Sequence, residues 1–177
     1  MITSLDQLDL SKTYSYADYL NWRFDEMVEL LRGRIFKMSP APSRKHQEIS
    51  MNLIGVLLPY FKRDTTCKLY HAPFDVRLYN RQKSVGANQE IFTVVQPDLC
   101  VICDPEKIDE QGCNGAPDLI IEILSPGNSK KEMKIKYALY EECGVKEYWV
   151  IYPTEESLLQ FVLDQNGKYV LKDTFSE

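Results

Sequence analysis

Apolar and polar positions change period several times along the 177-residue chain, and each change predicts an element. Residues 15–20 read as a short helix. Residues 27–31 and 34–38 flank Arg32-Gly33 and predict a two-strand hairpin. The loop at 39–43, rich in proline and serine, then breaks structure. From residue 44 to about 61, His46, Ile49, Leu53, Leu57 and Tyr60 recur at steps of three and four. That spacing predicts a helix carrying them on one face, and Pro59 is expected to kink or close it. Strand-like runs follow at 68–71, 74–79, 91–95, 98–103 and 118–124, with a polar loop at 80–90. A second helix is predicted over 129–143, closed by Gly144. A strand at 147–152 is stopped by Pro153, and a hairpin of 158–163 and 169–172 turns at 164–167. The sum is an α+β fold, a central mixed β-sheet flanked by two main helices. No repeat, low-complexity tract or linker interrupts it. The expectation is one domain over 1–177, with residues 1–25 as an accessory arm and 158–172 as a C-terminal hairpin.

Composition narrows the class. With 44% apolar and 27% charged residues the chain can bury a real core, and disorder is excluded. No apolar run approaches the roughly 20 residues that span a bilayer. Residues 1–10 lack a basic segment followed by an apolar one, so the expectation is a cytoplasmic protein without membrane contact. The net charge of −5 argues against a protein that coats nucleic acid unspecifically. It does not argue against a nuclease, which gathers acidic groups around a metal while a basic patch stays local. Arg44-Lys45, Lys62-Arg63 and Lys130-Lys131 read either as such a patch or as ordinary solvated surface.

Five cysteines (Cys67, Cys100, Cys103, Cys113 and Cys143) read as reduced thiols in a cytosolic setting. Cys100-x-x-Cys103 has zinc-knuckle spacing, but it lies in a predicted strand where the two face opposite sides. With two histidines in the chain and no second cysteine pair, structural zinc is not expected. The chain also lacks a glycine-rich phosphate loop and a helix-turn-helix with a basic recognition helix.

The chemistry concentrates in a few residues. Asp118-Leu-Ile-Ile-Glu-Ile-Leu124 is nearly all apolar, so both faces of that strand should be buried, with Glu122 in the middle. A carboxylate there is costly unless it is paired or bound to metal. Pro97-Asp98 opens a second apolar strand. If the two strands are neighbours, Asp98 and Glu122 converge, the minimum for a hard cation such as Mg²⁺. Asp98 could instead cap a turn, and Glu122 could instead meet an arginine. Asp118, about 13 Å from Glu122 along the strand, is too far to share an ion.

At about 100° per residue, the second helix gathers Met133, Tyr137, Leu139, Tyr140 and Cys143 in one apolar arc, and Lys136 falls inside it. Lys131, Lys134, Glu141 and Glu142 point away. Lys136 therefore either snorkels outward or meets an anion, and Glu122 is the anion the adjacent strand supplies.

These residues carry a resemblance. Pro97-Asp98 followed by Glu122-Ile123-Leu124 resembles the PD-(D/E)XK nuclease superfamily, the restriction-endonuclease-like fold. The usual strand lysine is replaced here by Leu124. The chain is similar to one branch in particular, the Uma-two family of endonuclease-like proteins found in cyanobacteria and other bacteria. The likeness runs in order through Glu29-Leu30-Leu31-Arg32-Gly33, the loop at 39–43 with His46, and Ala72-Pro-Phe-Asp-Val-Arg-Leu78. It continues through Val95-Gln-Pro-Asp98, residues 115–126, Lys136 with Tyr140, and Gly144-Val-Lys-Glu-Tyr-Trp149.

In that branch the lysine sits on the helix, where periodicity independently puts Lys136. The resemblance implies a metal-dependent endonuclease acting on nucleic acid, with DNA the expected substrate. Asp98, Glu122 and the Ile123 carbonyl would ligate Mg²⁺ or Mn²⁺, and Lys136 would orient water or stabilise developing charge. Glu29 would support the metal's ligands or bind a second ion, its bland alternative being an exposed hairpin glutamate. His46 is a candidate contact to phosphate or to a metal-bound carboxylate, or else a satisfied buried histidine. Gln96 is a candidate for positioning water or substrate. The competing reading is a nuclease fold that binds nucleic acid or a protein partner without turnover. A homodimer is expected, since cutting both strands needs two sites, and the strand at 147–152 is the candidate edge.

Overall fold

A computed structural model describes residues 2–38, 42–62, 66–80, 87–125 and 130–176. Its elements in chain order are α1 (Tyr16–Tyr19), β1 (Val28–Leu31), β2 (Arg34–Lys37), α2 (Arg44–Phe61), β3 (Lys68–His71), β4 (Val76–Leu78), β5 (Thr93–Val95) and β6 (Leu99–Ile102). They continue with β7 (Ile108–Asp109), β8 (Gly112–Asn114), β9 (Leu119–Ile123), α3 (Lys130–Cys143), β10 (Glu147–Tyr152), β11 (Ser157–Leu163) and β12 (Tyr169–Ser176). Residues 39–41 of the expected proline-rich loop, 81–86 of the polar loop, Arg63 and the predicted start of the second helix at 129 lie outside the described residues, as do the side chains of Lys130 and Lys131.

The strands divide into two six-stranded mixed sheets, ordered β2-β1-β5-β4-β8-β7 and β12-β11-β10-β9-β6-β3. Alternation along the strands explains how the layers stack. In β1, Val28 and Leu30 point to an N-terminal cluster with Leu8, Tyr16 and Trp22, while Leu31 joins the main core. In β9, Ile121 and Ile123 face α2, while Ile120 faces the main core. That core also takes Val76, Leu78 and Val95 from the first sheet and Leu139 and Tyr140 from α3. The even positions of β9 therefore look toward the first sheet and α3. Each fully buried aliphatic side chain of this kind contributes about 1.5–3 kcal/mol, and the layer is held mainly by them.

The tight turn of the first hairpin follows from its residues. Arg32 and Gly33 both take positive φ, the geometry that matches strand twist. A Cβ on Gly33 would stand 2.3 Å from the Thr13 methyl. At the end of α3, Gly144 adopts φ 87° and donates to the Tyr140 carbonyl, the expected cap.

Four sequence expectations change here. Tyr60 is 69% exposed, because the buried stripe of α2 drifts and the helix continues through Pro59 to Phe61. β10 is no edge: it lies between β9 and β11, and β12 is the edge. That last strand also runs on to Ser176. The cysteines are not all thiols: Cys67 and Cys103 form a disulfide. The antiparallel register Lys68↔Ile102, continued one step, sets those two directly opposite each other. Cys100, Cys113 and Cys143 remain buried thiols, and burial pushes Cys113 and Cys143 up to about 12.

Candidate active site

Glu122 is the residue around which the site is built. Strand β9 is paired on both sides and buried on both faces, so its one acidic side chain is taken out of water. The pairing Leu99↔Ile121, continued one step, sets Asp98 opposite Glu122 across β6 and β9. The convergence anticipated from the two motifs is thus a consequence of register. Asp98 is anchored twice: its Oδ2 accepts from the Ile123 N–H at 2.7 Å, and its Oδ1 lies 3.1 Å from His46 Nε2.

Lys136 does not snorkel. It is 5% exposed and donates to Glu29 at 3.0 Å and to Glu122 at 3.0 Å. It shares the buried side of α3 with Leu139, Tyr140 and Cys143, as the 3.6-residue period requires. Glu122's partners are a lysine and a tyrosine rather than an arginine, with Tyr140 Oη donating to it at 2.6 Å. Glu29 is not a surface hairpin residue. It is 2% exposed, and its Oε1 also accepts the Gln96 N–H at 2.8 Å. The two glutamates thus come from different sheets, and the helix inserts one ammonium between them.

The charges do not balance within this cluster. Burial pushes the Glu122 carboxyl up to about 7; the Lys136 charge opposes that rise, and Glu29 and Asp98 add to it. Burial alone would lower Lys136, but Glu122 and then Glu29 outweigh it and hold the ammonium firmly protonated. The Tyr140 hydroxyl stays protonated, first through burial and then through Glu122. His46, buried in the first turn of α2, is raised mainly by its hydrogen bond to Asp98 against the cost of burial. The Ile123 carbonyl and the Glu122 charge add to the rise.

Gln96 plays a different part from its neighbours. Its backbone holds Glu29, while its side-chain amide donates to Asp75 at 2.9 Å and to Tyr19 at 3.2 Å. Tyr19 gave no signal in the sequence and Asp75 was visible only as part of the motif at 72–78, because this contact joins three distant segments. Tyr140 was legible, standing one turn after Lys136 on the same face. Asp118, at the far end of β9, is occupied by Lys146 at 2.6 Å and by the Cys103 N–H. Of the basic pairs, Arg44 joins Glu48, and Lys45 joins Glu156 at 3.0 Å, all exposed.

Among the described residues, no three side chains of His, Cys, Asp or Glu form a ready-made metal cage. The candidate donors are the Asp98 and Glu122 carboxylates, opposite each other in the extended register, and the carbonyl of Ile123, the next residue after Glu122. Mg²⁺ is commonly held through one or two carboxylates, with water and substrate oxygens completing the octahedron, so this set fits a hard divalent cation. The excess of carboxylate over ammonium around Glu122 fits it too.

Residues 16–177 match the Uma2 family, described as "Putative restriction endonuclease". An uncharacterised protein of Synechocystis is 23% identical over 160 residues, which cover 89% of this chain and 78% of that protein. The crystal structure of "a putative nuclease belonging to DUF820" from Anabaena variabilis aligns with a TM-score of 0.68 at 21% identity. The alignment covers 92% of this chain and 84% of that one. At that identity the likeness is one of fold, and the fold is restriction-endonuclease-like. Among the described residues, no helix is long and apolar enough to cross a membrane.

Proposed function

The chain belongs to the Uma2 family of nuclease-fold proteins, and from that premise we propose that it is an endonuclease that hydrolyses phosphodiester bonds of DNA. Mg²⁺ or Mn²⁺ would be held by Asp98, Glu122 and the Ile123 carbonyl. Residues 1–177 would act as one nuclease domain, in the cytoplasm and as a homodimer.

The observation that carries the reading is the buried Lys136 ammonium shared by Glu29 and Glu122, with Asp98 bearing on the same carboxylate. Such an arrangement is expensive for mere stability, since an apolar replacement of equal volume would serve the core as well or better. A bound cation would supply charge neutralisation on the phosphate and lower the pKa of a water. The protein's own groups do the rest. Lys136, fixed by two carboxylates, would orient the attacking water and meet the charge that develops on the phosphoryl group. Glu29 fixes Lys136 and is itself fixed by Gln96. Tyr140 holds Glu122 in one rotamer, and His46 does the same for Asp98.

The test is cleavage of plasmid and linear DNA with Mg²⁺ or Mn²⁺, with calorimetric titration of the same ions. Asp98→Asn and Glu122→Gln should each lose cation binding and at least about 10²-fold in rate. Cleavage by those variants at the parent rate would sink the proposal.

A second reading, a nuclease fold that binds without turnover, is favoured by two observations. Leu124 stands where the strand lysine usually is, and both Asp98 oxygens already have partners within the protein. It predicts DNA binding that is indifferent to divalent cations.

A further inference from the structure

Helix α2 has two faces, and the fold uses one of them. Ile49, Leu53, Ile54 and Leu57 pack against Ile121, Ile123 and Ile151 of the second sheet. On the opposite face, Glu48, Met51, Gly55, Pro59 and Lys62 recur at steps of three and four, and all five are exposed. Gly55, Leu58, Pro59 and Lys62 line a groove of about 310 Å³ along that stripe. Met51, 63% exposed, projects one turn before it.

Gly55 has no reason within the single chain. Glycine weakens a helix interior, and this one keeps an ordinary negative φ. A Cβ added to it would meet nothing within 4 Å among the described residues. Neither backbone conformation nor internal packing calls for glycine here. A close approach from outside the chain does.

The order of residues along the stripe identifies what approaches. Let a second copy of α2 lie antiparallel on the first, with a two-fold axis through Gly55. Each residue a given number of places before Gly55 then faces the one the same number after it. Glu48 faces the partner's Lys62, Met51 faces the partner's Pro59, and Asn52 faces the partner's Leu58. The groove of each copy receives the other's Met51, the two glycines meet at the crossing, and opposite charges close both ends. A parallel pairing would instead set Glu48 on Glu48 and Lys62 on Lys62, which repel. Glu48 already meets Arg44 one turn away, but that contact is exposed and uses one carboxylate oxygen. Lys62 has no acidic partner among the described residues.

We propose that the outer face of α2 is the homodimer interface, an isologous antiparallel helix pair crossing at Gly55. The inference rests on the homodimer proposed above and names its surface. His46, in the first turn of the same helix, lies on the side turned to Asp98. The symmetry sets the two His46 residues at opposite ends of the pair, about 27 Å apart along its axis, so each copy keeps a site of its own.

The measurement is sedimentation velocity of the full chain over about a hundredfold range of concentration, without nucleic acid or divalent cations. The parent should pass from monomer to dimer. Gly55→Glu sets two carboxylates against each other at the crossing and should weaken association at least about a hundredfold. Its circular dichroism should match the parent's, since the single chain has room at that position. Glu48→Lys and Lys62→Glu should each weaken association about tenfold, and the double variant carrying both should regain the parent's affinity. Gly55→Cys should form a disulfide-linked dimer on mild oxidation. Tyr60→Cys, 69% exposed but off the stripe, should not. The background is low, because three native thiols are buried and the other two cysteines are joined to each other.

If Gly55→Glu dimerises as tightly as the parent, the assignment to α2 is overturned and the homodimer stands on another surface. If the charge reversals weaken association and the double variant does not recover it, the antiparallel pairing is overturned. A parent that stays monomeric throughout overturns the interface and the homodimer together. Cleavage enters none of these readouts, so the nuclease reading stands or falls separately.

Discussion

Two cations are buried on opposite faces of the first sheet, Arg77 against Tyr16 of the N-terminal segment and Lys136 between the sheets, and they are buried for different reasons. Arg77 on β4 is 3% exposed. Its guanidinium donates to Asp109 at 2.6 Å and to the Cys113 carbonyl at 3.2 Å, and it lies 5.3 Å from the centre of the Tyr16 ring. Asp109 is 41% exposed, so one end of that pair remains in water. Arg77 thus contacts one half-exposed acid, one carbonyl and one π-face, with the Asp75 charge acting on it from further off. Lys136 is as deeply buried, yet it faces two buried carboxylates with a third close by. Burial of a charge does not mark a site. Burial with an unbalanced surplus of the opposite charge does, because it leaves work for a further cation.

The widest separation between the two should come from replacing each by methionine. Lys136→Met is expected to reduce cleavage by at least about 10²-fold. It should also cost about 3–5 kcal/mol of stability, because two buried carboxylates lose their shared partner. Adding Glu29→Gln should recover part of that stability and none of the activity. Chemical denaturation and initial cleavage rates read the two effects apart. A double variant that regained activity would make Lys136 a structural ion like Arg77.

Arg77→Met should show the converse. Stability should fall by about 1–3 kcal/mol, because the Cys113 carbonyl loses its donor while the partly exposed Asp109 is left to water. The rate per folded molecule should stay within about twofold, an expected difference well below 1 kcal/mol. Denaturant midpoint and active-site titration in the same preparation check it. A rate loss on the scale of Lys136→Met would erase the distinction drawn between the cations.

How the sequence announced these two residues differs as much as their surroundings. Lys136 could be found from one helix, since 3.6-residue spacing is local and put it in the arc of Leu139 and Tyr140. Glu122 could be found from one strand, since an acid inside an apolar run is visible without knowing any neighbour. Both of them, and the Asp98 convergence, needed at most one pairing of adjacent strands. What remained hidden depends on pairings between distant segments. Glu29 becomes a partner of Lys136 only because β1 pairs β5, the strand after which Gln96 follows. The two-residue β7, the partition into two sheets, the Cys67–Cys103 bridge and the contact of Tyr19 and Asp75 with Gln96 are of the same kind. Arg77 was visible only as part of a motif, because nothing local tells a strand arginine that its face will be covered.

Proton linkage offers a way to sharpen the comparison without touching either cation. Glu122 has its pKa raised to about 7, and Asp75 and His46 are also raised above their ordinary values. A group with a raised folded-state pKa contributes stability that is complete below its unfolded value and is lost as pH rises through the folded one. All three act in the same direction. Without divalent cations, the protein should therefore lose stability between about pH 4.5 and 8, on the order of 2–3 kcal/mol from Glu122 alone. Glu122→Gln should flatten that slope, and Mn²⁺ should flatten it in the parent but not in the variant. Denaturation midpoints at four pH values suffice. A parent whose stability rises over this window would mean that Glu122 is ionised and satisfied without a further cation.

The smallest expected effect comes from the other end of the same strand. Asp118 precedes β9 as Glu122 nears its end, and it too carries a lysine, but Lys146 is 74% exposed. Lys146 at 2.6 Å and the Cys103 N–H draw the Asp118 carboxyl below its usual value, despite the partial burial that acts against them. The sign is thus opposite to that of Glu122: Asp118 contributes stability above its unfolded pKa of 3.8, lost as pH falls through a lower folded value. Because the lysine lies in solvent, Lys146→Ala should cost no more than about 0.5 kcal/mol, further reduced by salt. Thermal melts at low and high ionic strength read it, with cleavage unchanged. The two carboxylates share a strand and a type of partner, so a large effect here would mean that position on β9, rather than surplus buried charge, sets what these acids do.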